Sequence, residues 1–387
     1  MPKVALVPCT DYTQANRAVS AAIDLLGGTD ILPDPKEKIL LKPNLLAKAP
    51  PERACTTHPA VFAGVAAYLQ ENGRTKLSYG DSPGHGNPLQ IAKECKIAAE
   101  ADRLRIPLAD FSQGKTVDFP DGNRAKSFVL ANGVLDNDCV INLCKMKTHM
   151  LERITGAQKN IFGCVFGFNK GASHVAYPNA FDFAEMLADL NRLIRPRLHI
   201  LDGIDAMEGN GPQSGTPKHM GVILASTDPV ALDSLFASLI WLDPYLVPTN
   251  KTGEKRGVGV CDPSKITVAT PDGQITVKEA REKYGNKSFD VYRGQEDKGE
   301  IRQLRMFRKL LRRRPKINAR LCVRCGVCVQ SCPVKGGALH LIEGKKTPVY
   351  DYDKCISCYC CQEMCPKRAI YSYQNPIGKI GNIRFKI

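Results

Sequence analysis

The sequence predicts an α/β fold, with a mostly parallel sheet and flanking helices, followed by a small C-terminal α+β domain. Short apolar runs alternate with helical patterns through about the first 285 residues, which is typical of strands joined by helices. Eight regularly spaced cysteines then recur as a duplicated pattern within residues 322–365. We therefore expect an α/β domain at residues 1–300, a basic connecting helix at 301–316 and a metal-binding domain at 317–387.

Each predicted strand is an apolar run that ends in a polar or glycine-rich turn. The predicted strands are Val4–Val7, Ile39–Leu41, Lys76–Tyr79, Cys139–Leu143, Leu198–Leu201 and Val222–Ala225. The predicted helices are Tyr12–Leu26, a helix that Thr57 caps and that runs through Gln70, Pro88–Leu104 and Phe181–Leu193. Another helix is expected at Pro229, because an aspartate cap followed by proline is a common helix start. A hairpin is expected around Pro271–Gly273.

The composition favours a reducing compartment and argues against a membrane-spanning protein. The first residues turn polar too early for a signal peptide, and acidic residues and a proline interrupt the most apolar window, Val222–Leu242. Sixteen cysteines without a secretory signal indicate metal ligation rather than disulfides. We therefore expect a cytoplasmic protein with no transmembrane segment, in an anaerobic setting because many free thiols tolerate oxygen poorly.

The formal net charge is +15, and a dense run of basic residues falls between Arg302 and Lys316. Apolar residues recur there at helical spacing until Pro315. No nucleic-acid-binding motif accompanies the charge, so nucleic acid is not an expected partner. The favoured interpretation is a helix packed between the domains with a solvated basic face, and a secondary role in steering an acidic electron donor to the clusters fits the same charges. An external electron donor or acceptor protein is the expected partner. Adsorption to a membrane surface is the alternative.

The cysteines repeat the pattern Cys-x-x-Cys-x-x-Cys-x-x-x-Cys-Pro twice. The first copy contains Cys322, Cys325, Cys328 and Cys332, and the second contains Cys355, Cys358, Cys361 and Cys365. Zinc sites use paired CxxC knuckles, which lack this triplet spacing. The segment resembles the bacterial two-cluster ferredoxins, so the small domain is expected to be ferredoxin-like and to hold two [4Fe–4S] clusters. The fourth cysteine of each copy is expected to ligate the cluster of the other copy.

Six motifs occur in order within the first 245 residues. They are Leu40–Asn44, Gly80–Gly84, Asn142–His149, Thr155–Gly163, Asp202–Pro212 and Asp228–Asp233. With these motifs the chain resembles the family called domain of unknown function 362, which is often fused to a ferredoxin module. The resemblance implies a fold family and a redox context, but no substrate.

Polar residues follow several predicted strands, and the carboxyl ends of parallel strands meet at one edge of a sheet. The predicted substrate-binding residues are Lys42, Asn44, Asp81, Lys145, Lys159, Asn160 and Asp202. Lysines beside glycines suit an anionic small molecule with a phosphate or carboxylate group. The candidate catalytic residues are His149, as proton donor, and Lys147, which would stabilise developing negative charge. The alternative is a set of independent caps and solvated turns.

The acidic series Asp202, Asp205 and Glu208 could bind a hard cation if it shared one helical face, although a loop with solvated acids is favoured. Two classes of function stay open. In the first, an iron–sulfur oxidoreductase passes electrons from the clusters to an anionic molecule, and an external donor is needed because no flavin or nicotinamide motif is present. In the second, the chain is a non-catalytic redox carrier or a maturation factor that docks a partner. A redox sensor is a third, weaker possibility.

Overall fold

The computed structural model describes residues 1–84, 86–167, 169–294 and 313–374. The strands of the large domain are β1 (Lys3–Pro8), β2 (Ile39–Pro43), β3 (Leu77–Tyr79), β4 (Gly114–Asp118), β5 (Ser127–Ala131), β6 (Cys139–His149), β7 (Arg153–Thr155), β8 (Leu198–Glu208), β9 (Thr216–Ser226), β10 (Thr267–Thr270) and β11 (Gly273–Thr276). Its helices are α1 (Ala15–Leu26), α2 (Pro59–Glu71), α3 (Pro88–Glu94), α4 (Ile97–Arg103), α5 (Asn132–Leu135), α6 (Ala157–Asn160), α7 (Asn169–Ala176), α8 (Ala180–Ile194), α9 (Pro229–Leu239), α10 (Pro248–Lys255) and α11 (Val277–Tyr284).

The described residues form a nine-stranded central sheet, which confirms the predicted α/β class. Its order is β11-β10-β1-β9-β8-β6-β2-β3, and β7 pairs with the end of β6. The neighbours β3, β2, β6 and β8 are parallel, whereas β9 is antiparallel to both β8 and β1. The parallel part of the sheet carries most of the predicted site residues.

Helices cover both faces of the sheet, because successive residues of a central strand point to opposite faces and are apolar on both. Ile39 and Leu41 of β2 join the core that contains α1 and α2, while Leu40 joins the core that contains α8. Val4 and Leu6 of β1 pack with α9 and α11. The result is a three-layer arrangement with a buried sheet.

Strands β6 and β8 are longer than the sequence predicted. The strand expected to end at Leu143 continues to His149, and the strand expected to end at Leu201 continues to Glu208. The two lysines that precede His149 therefore lie inside a buried strand and not, as expected, in the loop after it. The prediction was wrong because polar residues interrupt the apolar pattern, and only tertiary contacts supply their buried partners.

Other elements differ in detail. The single helix predicted to begin at Pro88 is two helices, α3 and α4, separated at Lys96, whose φ is +63°. His58 caps α2 in place of Thr57. The hairpin of β4 and β5 was not predicted, whereas the hairpin of β10 and β11 and the Asp228 cap of α9 are confirmed.

The cysteine-rich module, residues 313–374 of the described chain, is a small α+β unit. It contains β12 (Arg314–Ile317), β13 (Leu339–His340), β14 (Val349–Tyr350), β15 (Ile370–Tyr373) and two one-turn helices, Val327–Gln330 and Cys360–Glu363. Strand β12 pairs with β15, and β13 with β14.

The predicted basic helix at 301–316 lies mainly outside the described residues. Within them, the segment Arg314–Lys316 belongs to β12, so the helix was wrongly extended over these three positions. In the part of the chain that the structure describes, no helix is long and apolar enough to cross a membrane.

Candidate functional site

Strand β6 is the backbone of the site. Lys145, Lys147 and His149 alternate along it, so they point to the same side of the sheet. All three are almost fully buried, at 0%, 0% and 2% exposure. Buried charged groups are costly unless they are paired, so the partners of each side chain determine what it can do.

Lys145 is neutralised by Asp202. The Lys145 Nζ and Asp202 Oδ2 atoms are 2.8 Å apart, on positions that pair directly between β6 and β8. Tyr12 closes the group, because its hydroxyl accepts from Lys145 Nζ at 2.9 Å and donates to Asp202 Oδ1 at 3.2 Å. This charge is satisfied inside the protein.

Lys42 is neutralised in the same way by Asp81. Lys42 Nζ lies 2.9 Å from Asp81 Oδ1, and Asp81 Oδ2 accepts from the Leu45 amide at 2.7 Å. Gly163 packs against this pair, since a Cβ there would lie 1.8 Å from Asp81 Oδ1. The glycine is required by the close approach of the ion pair.

The ammonium of Lys147 is held by uncharged oxygen atoms. It donates to Asn44 Oδ1 and to the Cys55 carbonyl, each at 2.7 Å. Burial, the largest effect, lowers the pKa of Lys147 to about 7. Lys147 can therefore exchange a proton near neutral pH.

A chain of amides holds the group that contacts Lys147. Asn44 Nδ2 donates to Asn160 Oδ1, and Asn160 Nδ2 donates to Asn142 Oδ1, both at 2.7 Å. Asn142 Nδ2 lies 2.9 Å from His199 Nδ1, which continues the chain. Since each amide donates away from Lys147, the oxygen of Asn44 is left to accept from the ammonium.

His149 faces the cysteine-rich module. Its Nε2 lies 3.0 Å from Glu363 Oε1, although the alignment is not that of a straight hydrogen bond. Its Nδ1 accepts from the amides of Leu151 and Glu152 at 3.2 and 3.0 Å. The network thus assigns the imidazole proton to Nε2, which is the atom directed at Glu363. Burial lowers the pKa of His149, in agreement with a neutral ring.

Lys159 lies near the same carboxylate. Its ammonium is over the rings of Phe162 and Phe183, at 4.8 and 5.5 Å from the centroids. Burial lowers its pKa, and the strongest opposing effect is attraction to Glu363. Cation–π contacts of this kind are weaker than an ion pair, so Lys159 keeps capacity for an anion.

The module docks onto the large domain through the helix that carries Cys361. Gln362 Nε2 donates to the carbonyls of Asn210 and Gly211 at 2.8 and 3.2 Å, and Asn210 Nδ2 donates back to the Ile370 carbonyl at 2.9 Å. The segment after β8 therefore contacts the module.

Four cysteines of the module line one cavity. They are Cys322, Cys325, Cys328 and Cys365, the set expected for one cluster. Among the described residues, no three His, Cys, Asp or Glu side chains are close enough to share a single metal ion. Four cysteines around a common cavity fit the thiolate ligand set of an iron–sulfur cluster.

The trailing cysteines of the two motifs have equivalent surroundings. The Ala338 amide donates to Cys332 Sγ at 3.3 Å, and the Ala369 amide donates to Cys365 Sγ at 3.2 Å. Amide donors to cluster sulfurs are one means by which proteins tune cluster potentials. The two halves of the module repeat this feature.

Comparison with protein families separates the same two regions. Residues 39–238 match the family described as domain of unknown function, DUF362, and residues 314–366 match a 4Fe–4S dicluster domain. The chain belongs to the DUF362 family. The DUF362 region contains Lys42, Asp81, all of β6 and Asp202, whereas Glu363 belongs to the dicluster region.

A curated relative is the thylakoid-associated protein of Synechocystis sp. It is 39% identical over 237 residues, which are 61% of this chain and 73% of the relative. Two solved structures are more distant. The lactate racemase apoprotein of Thermoanaerobacterium thermosaccharolyticum has 10% identity, a TM-score of 0.39, and coverage of 58% of this chain and 54% of that chain. A Thermotoga maritima protein has 11% identity, a TM-score of 0.34 and coverage of 64% and 59%. This chain thus spans less than two thirds of either structure.

The DUF362 site brings together most of the predicted residues, but in three groups rather than one. Lys42 with Asp81 and Lys145 with Asp202 are ion pairs, and the third group consists of Lys147 with the amide chain, and His149 beside Glu363. The acidic series Asp202, Asp205 and Glu208 lies along β8, and not in a loop as favoured from the sequence. The other two acids of that series, Asp205 and Glu208, contact His219 and Lys218 on β9.

Sequence reasoning missed Glu363, Lys170 and His174. Lys170 donates to the Ser82 and Pro83 carbonyls, and burial lowers its pKa to about 7. The His174 ring stacks on Phe183 at 4.4 Å. No local pattern distinguishes Glu363 within its cysteine motif, since only the docking of the module gives it a partner.

Proposed function

We propose that this DUF362 protein is an iron–sulfur oxidoreductase that reduces an anionic small molecule beside His149. The observation that supports it is the contact of Glu363 with His149, because Glu363 lies two residues from both Cys361 and Cys365. The helix with a predicted cluster ligand is thus one wall of the polar site. Electron transfer falls off steeply with distance, so this proximity favours a shared reaction.

The proposed ligands follow the crossed pattern. Cys322, Cys325, Cys328 and Cys365 would hold one [4Fe–4S] cluster, and Cys332, Cys355, Cys358 and Cys361 the other. When bound, the two clusters supply single electrons. The remaining chemistry, which is binding and proton transfer, belongs to the DUF362 residues.

An anionic substrate is proposed from the charges that stay available. Lys147 donates to two uncharged oxygen atoms, and Lys159 contacts aromatic rings. The carboxylate of Glu363 already lies between His149 and Lys159, which supports the view that this pocket tolerates an anion. A substrate carboxylate or phosphate would use the same cations, either beside Glu363 or after displacing it.

His149 and Lys147 take the proposed proton-handling roles. The imidazole proton is assigned to Nε2, the His149 atom that lies 3.0 Å from Glu363 Oε1, so His149 can donate to a substrate bound at that position. Lys147 has a pKa of about 7 and can stabilise negative charge or return a proton. The amide chain from Asn44 keeps its ammonium in place.

A non-catalytic redox carrier is the second candidate. It is favoured by the two internal ion pairs, because Lys42 and Lys145 are neutralised before any ligand binds. In that case the buried polar residues around His149 would only hold the cysteine-rich module in position. A cytoplasmic, anaerobic setting is proposed for either candidate.

The test is stopped-flow absorbance of the anaerobic, dithionite-reduced protein mixed with small-molecule fractions of an anaerobic microbe. We expect one fraction to reoxidise the clusters rapidly, and Lys147→Met and His149→Ala to slow that reoxidation at least about tenfold. Exposed Lys115 gives the matched control Lys115→Met, which should react as the unaltered protein does. Equal rates in all variants, or no reactive fraction, would contradict the reductase and favour the carrier.

A further inference from the structure

Exposed apolar side chains are concentrated on the cysteine-rich module. Six of the thirteen exposed large hydrophobic residues in the described chain belong to residues 313–374. They are Leu321, Val323, Leu341, Ile342, Val349 and Tyr352. Large apolar side chains gathered on one small unit indicate an interaction surface rather than chance exposure.

Two of these side chains lie at the cavity of the first cysteine set. Val323 lines the cavity and is 59% exposed, and Cys325 beside it is also exposed. Leu341 lies against Gly326, since a Cβ on that glycine would be 3.6 Å from Leu341 Cδ1. Exposed apolar side chains therefore lie beside the exposed residue Cys325.

The same rim is basic. Arg324 and Lys367 line the cavity and are exposed, and the Arg324 guanidinium donates to the Ile342 carbonyl at 3.2 Å. The exposed turn that follows carries Lys345 and Lys346. We call Leu321, Val323, Arg324, Leu341, Ile342 and Lys367 the cavity rim. Its apolar centre with charged flanks is the usual anatomy of a protein interface.

The contacts with the DUF362 domain come from other parts of the module. Pro333 contacts Gly171, Gln362 contacts Gly211, and Met364 lies against Gly84. The cavity rim consists of different, exposed residues. The module thus offers separate residues to the polar site and to a partner from solution.

We propose that the cavity rim binds an acidic electron-carrier protein, which donates electrons one at a time to the adjacent cluster. One electron leaves the reduced carrier and one cluster is reduced by it, so the step needs no further reactant. The direction of this transfer rests on the proposed function, whereas the surface itself does not. Electrons would then enter at the cavity rim and be used beside Glu363, so the donor protein and the substrate would bind at separate places.

Charge selects an acidic protein over a second copy of this chain. The chain has a net charge of +15, so two rims would repel each other, while an acidic carrier is attracted and oriented. An anionic lipid surface would also be attracted. Binding of lipid does not require the surface to be near Cys325, whereas an electron carrier must come close to the cluster that this cysteine would hold.

The experiment measures reduction of the anaerobic full-length protein by reduced flavodoxin, an acidic flavoprotein carrier, in stopped flow. We expect the double variant Arg324→Glu with Lys367→Glu to lower the bimolecular rate constant about tenfold or more at low ionic strength, and high salt to remove the difference. The matched control is Lys115→Glu with Lys278→Glu, which makes the same charge change on exposed residues of the large domain. All three proteins should have the same iron content and the same absorbance change on complete reduction by dithionite, which shows that the clusters are intact.

Equal flavodoxin rates for the rim variant and the control variant would overturn the proposal. So would a rim variant that keeps its flavodoxin rate but loses binding to phosphatidylglycerol vesicles, since the rim would then be a lipid-binding face. Neither result depends on Lys147 or His149. Failure of the docking surface is therefore distinguishable from failure of the reductase, which the substrate-driven reoxidation measures.

Discussion

Glu363 Oε1 of the cysteine-rich module lies 3.0 Å from His149 Nε2 at the end of β6. One atom belongs to the motif of predicted cluster ligands and the other to the polar site of the DUF362 domain. The contact is almost completely buried, since the side-chain exposures are 12% and 1%. A change at the polar site and a change at the module should therefore influence each other.

Removal of the carboxylate should loosen the docked module. In Glu363→Ala, the His149 proton and the Lys159 ammonium lose a nearby acceptor in a buried interface, at a cost of about 1–3 kcal/mol. Anaerobic hydrogen–deuterium exchange should show faster exchange in residues 149–152 and 360–364. Glu343→Ala, at an exposed turn of the same module, should leave both segments unchanged. Equal exchange in the two variants would mean that Glu363 does not hold the interface.

The sequence predicted the members of the site better than their partners. Lys147, His149 and Asp202 were identified from polar residues that follow apolar runs, and they are buried in the site. Their contacts depend on strand register and domain docking, which local patterns do not encode. For the same reason the end of β6 was missed, because its lysines interrupt the apolar signal while their partners come from distant elements.

The ion pair beneath Gly163 leaves no room for a side chain. In Gly163→Ala the new Cβ would meet Asp81 Oδ1 at 1.8 Å and Lys42 Nζ at 2.8 Å, so the buried pair must separate. Breaking a buried pair costs about 3–5 kcal/mol in the free energy of unfolding. Anaerobic urea denaturation should show this loss.

Gly171→Ala is the control for that substitution. The Cβ at Gly171, within α7, would meet only Pro333 at 3.7 Å, which is an ordinary contact. Alanine in a helix should then stabilise by up to about 1 kcal/mol. A Gly163→Ala protein as stable as Gly171→Ala would show that the Lys42–Asp81 pair is not required for stability.

The Lys145–Asp202 pair should show strong coupling. Asp202→Asn leaves the Lys145 ammonium buried without its counter-charge, which costs about 3–5 kcal/mol. Lys145→Met together with Asp202→Asn removes both charges and should recover a large part of that loss. The free energies of unfolding of the single and double variants form a double-mutant cycle. Additive effects, with no recovery in the double variant, would contradict the pairing.

The buried ammonium of Lys147 should make stability depend on pH. Because burial lowers its pKa to about 7, the unfolded chain binds more protons than the native one between about pH 7 and 10.5. The free energy of unfolding should therefore rise with pH in this window, by at most about 1.4 kcal/mol per pH unit. Below about pH 7 the buried Lys147 ammonium should destabilise the protein to its full extent. The other groups whose charges influence the pKa of Lys147 are Cys55, Lys145, Lys159 and Glu363.

Lys147→Met isolates that contribution. The unaltered protein should gain stability relative to Lys147→Met as the pH rises from about 7 to 9, measured by anaerobic urea denaturation. The same comparison with Lys115→Met, whose lysine is exposed, should be flat. A flat difference for Lys147→Met would mean that the ammonium has an ordinary pKa.

Replacement of two different cysteines of the module should have different effects on the iron content. Cys325 lines the cavity with Cys322, Cys328 and Cys365, whereas Cys360 stands outside both predicted ligand sets. Two intact [4Fe–4S] clusters correspond to about eight iron atoms per chain. Cys325→Ser should lower the iron content towards about four, with the loss of one cluster signal in electron paramagnetic resonance of the reduced protein. Cys360→Ser should keep the iron content and both signals, because its thiol belongs to neither predicted ligand set. If Cys360→Ser loses iron as Cys325→Ser does, the second cluster uses a different ligand set from the crossed one.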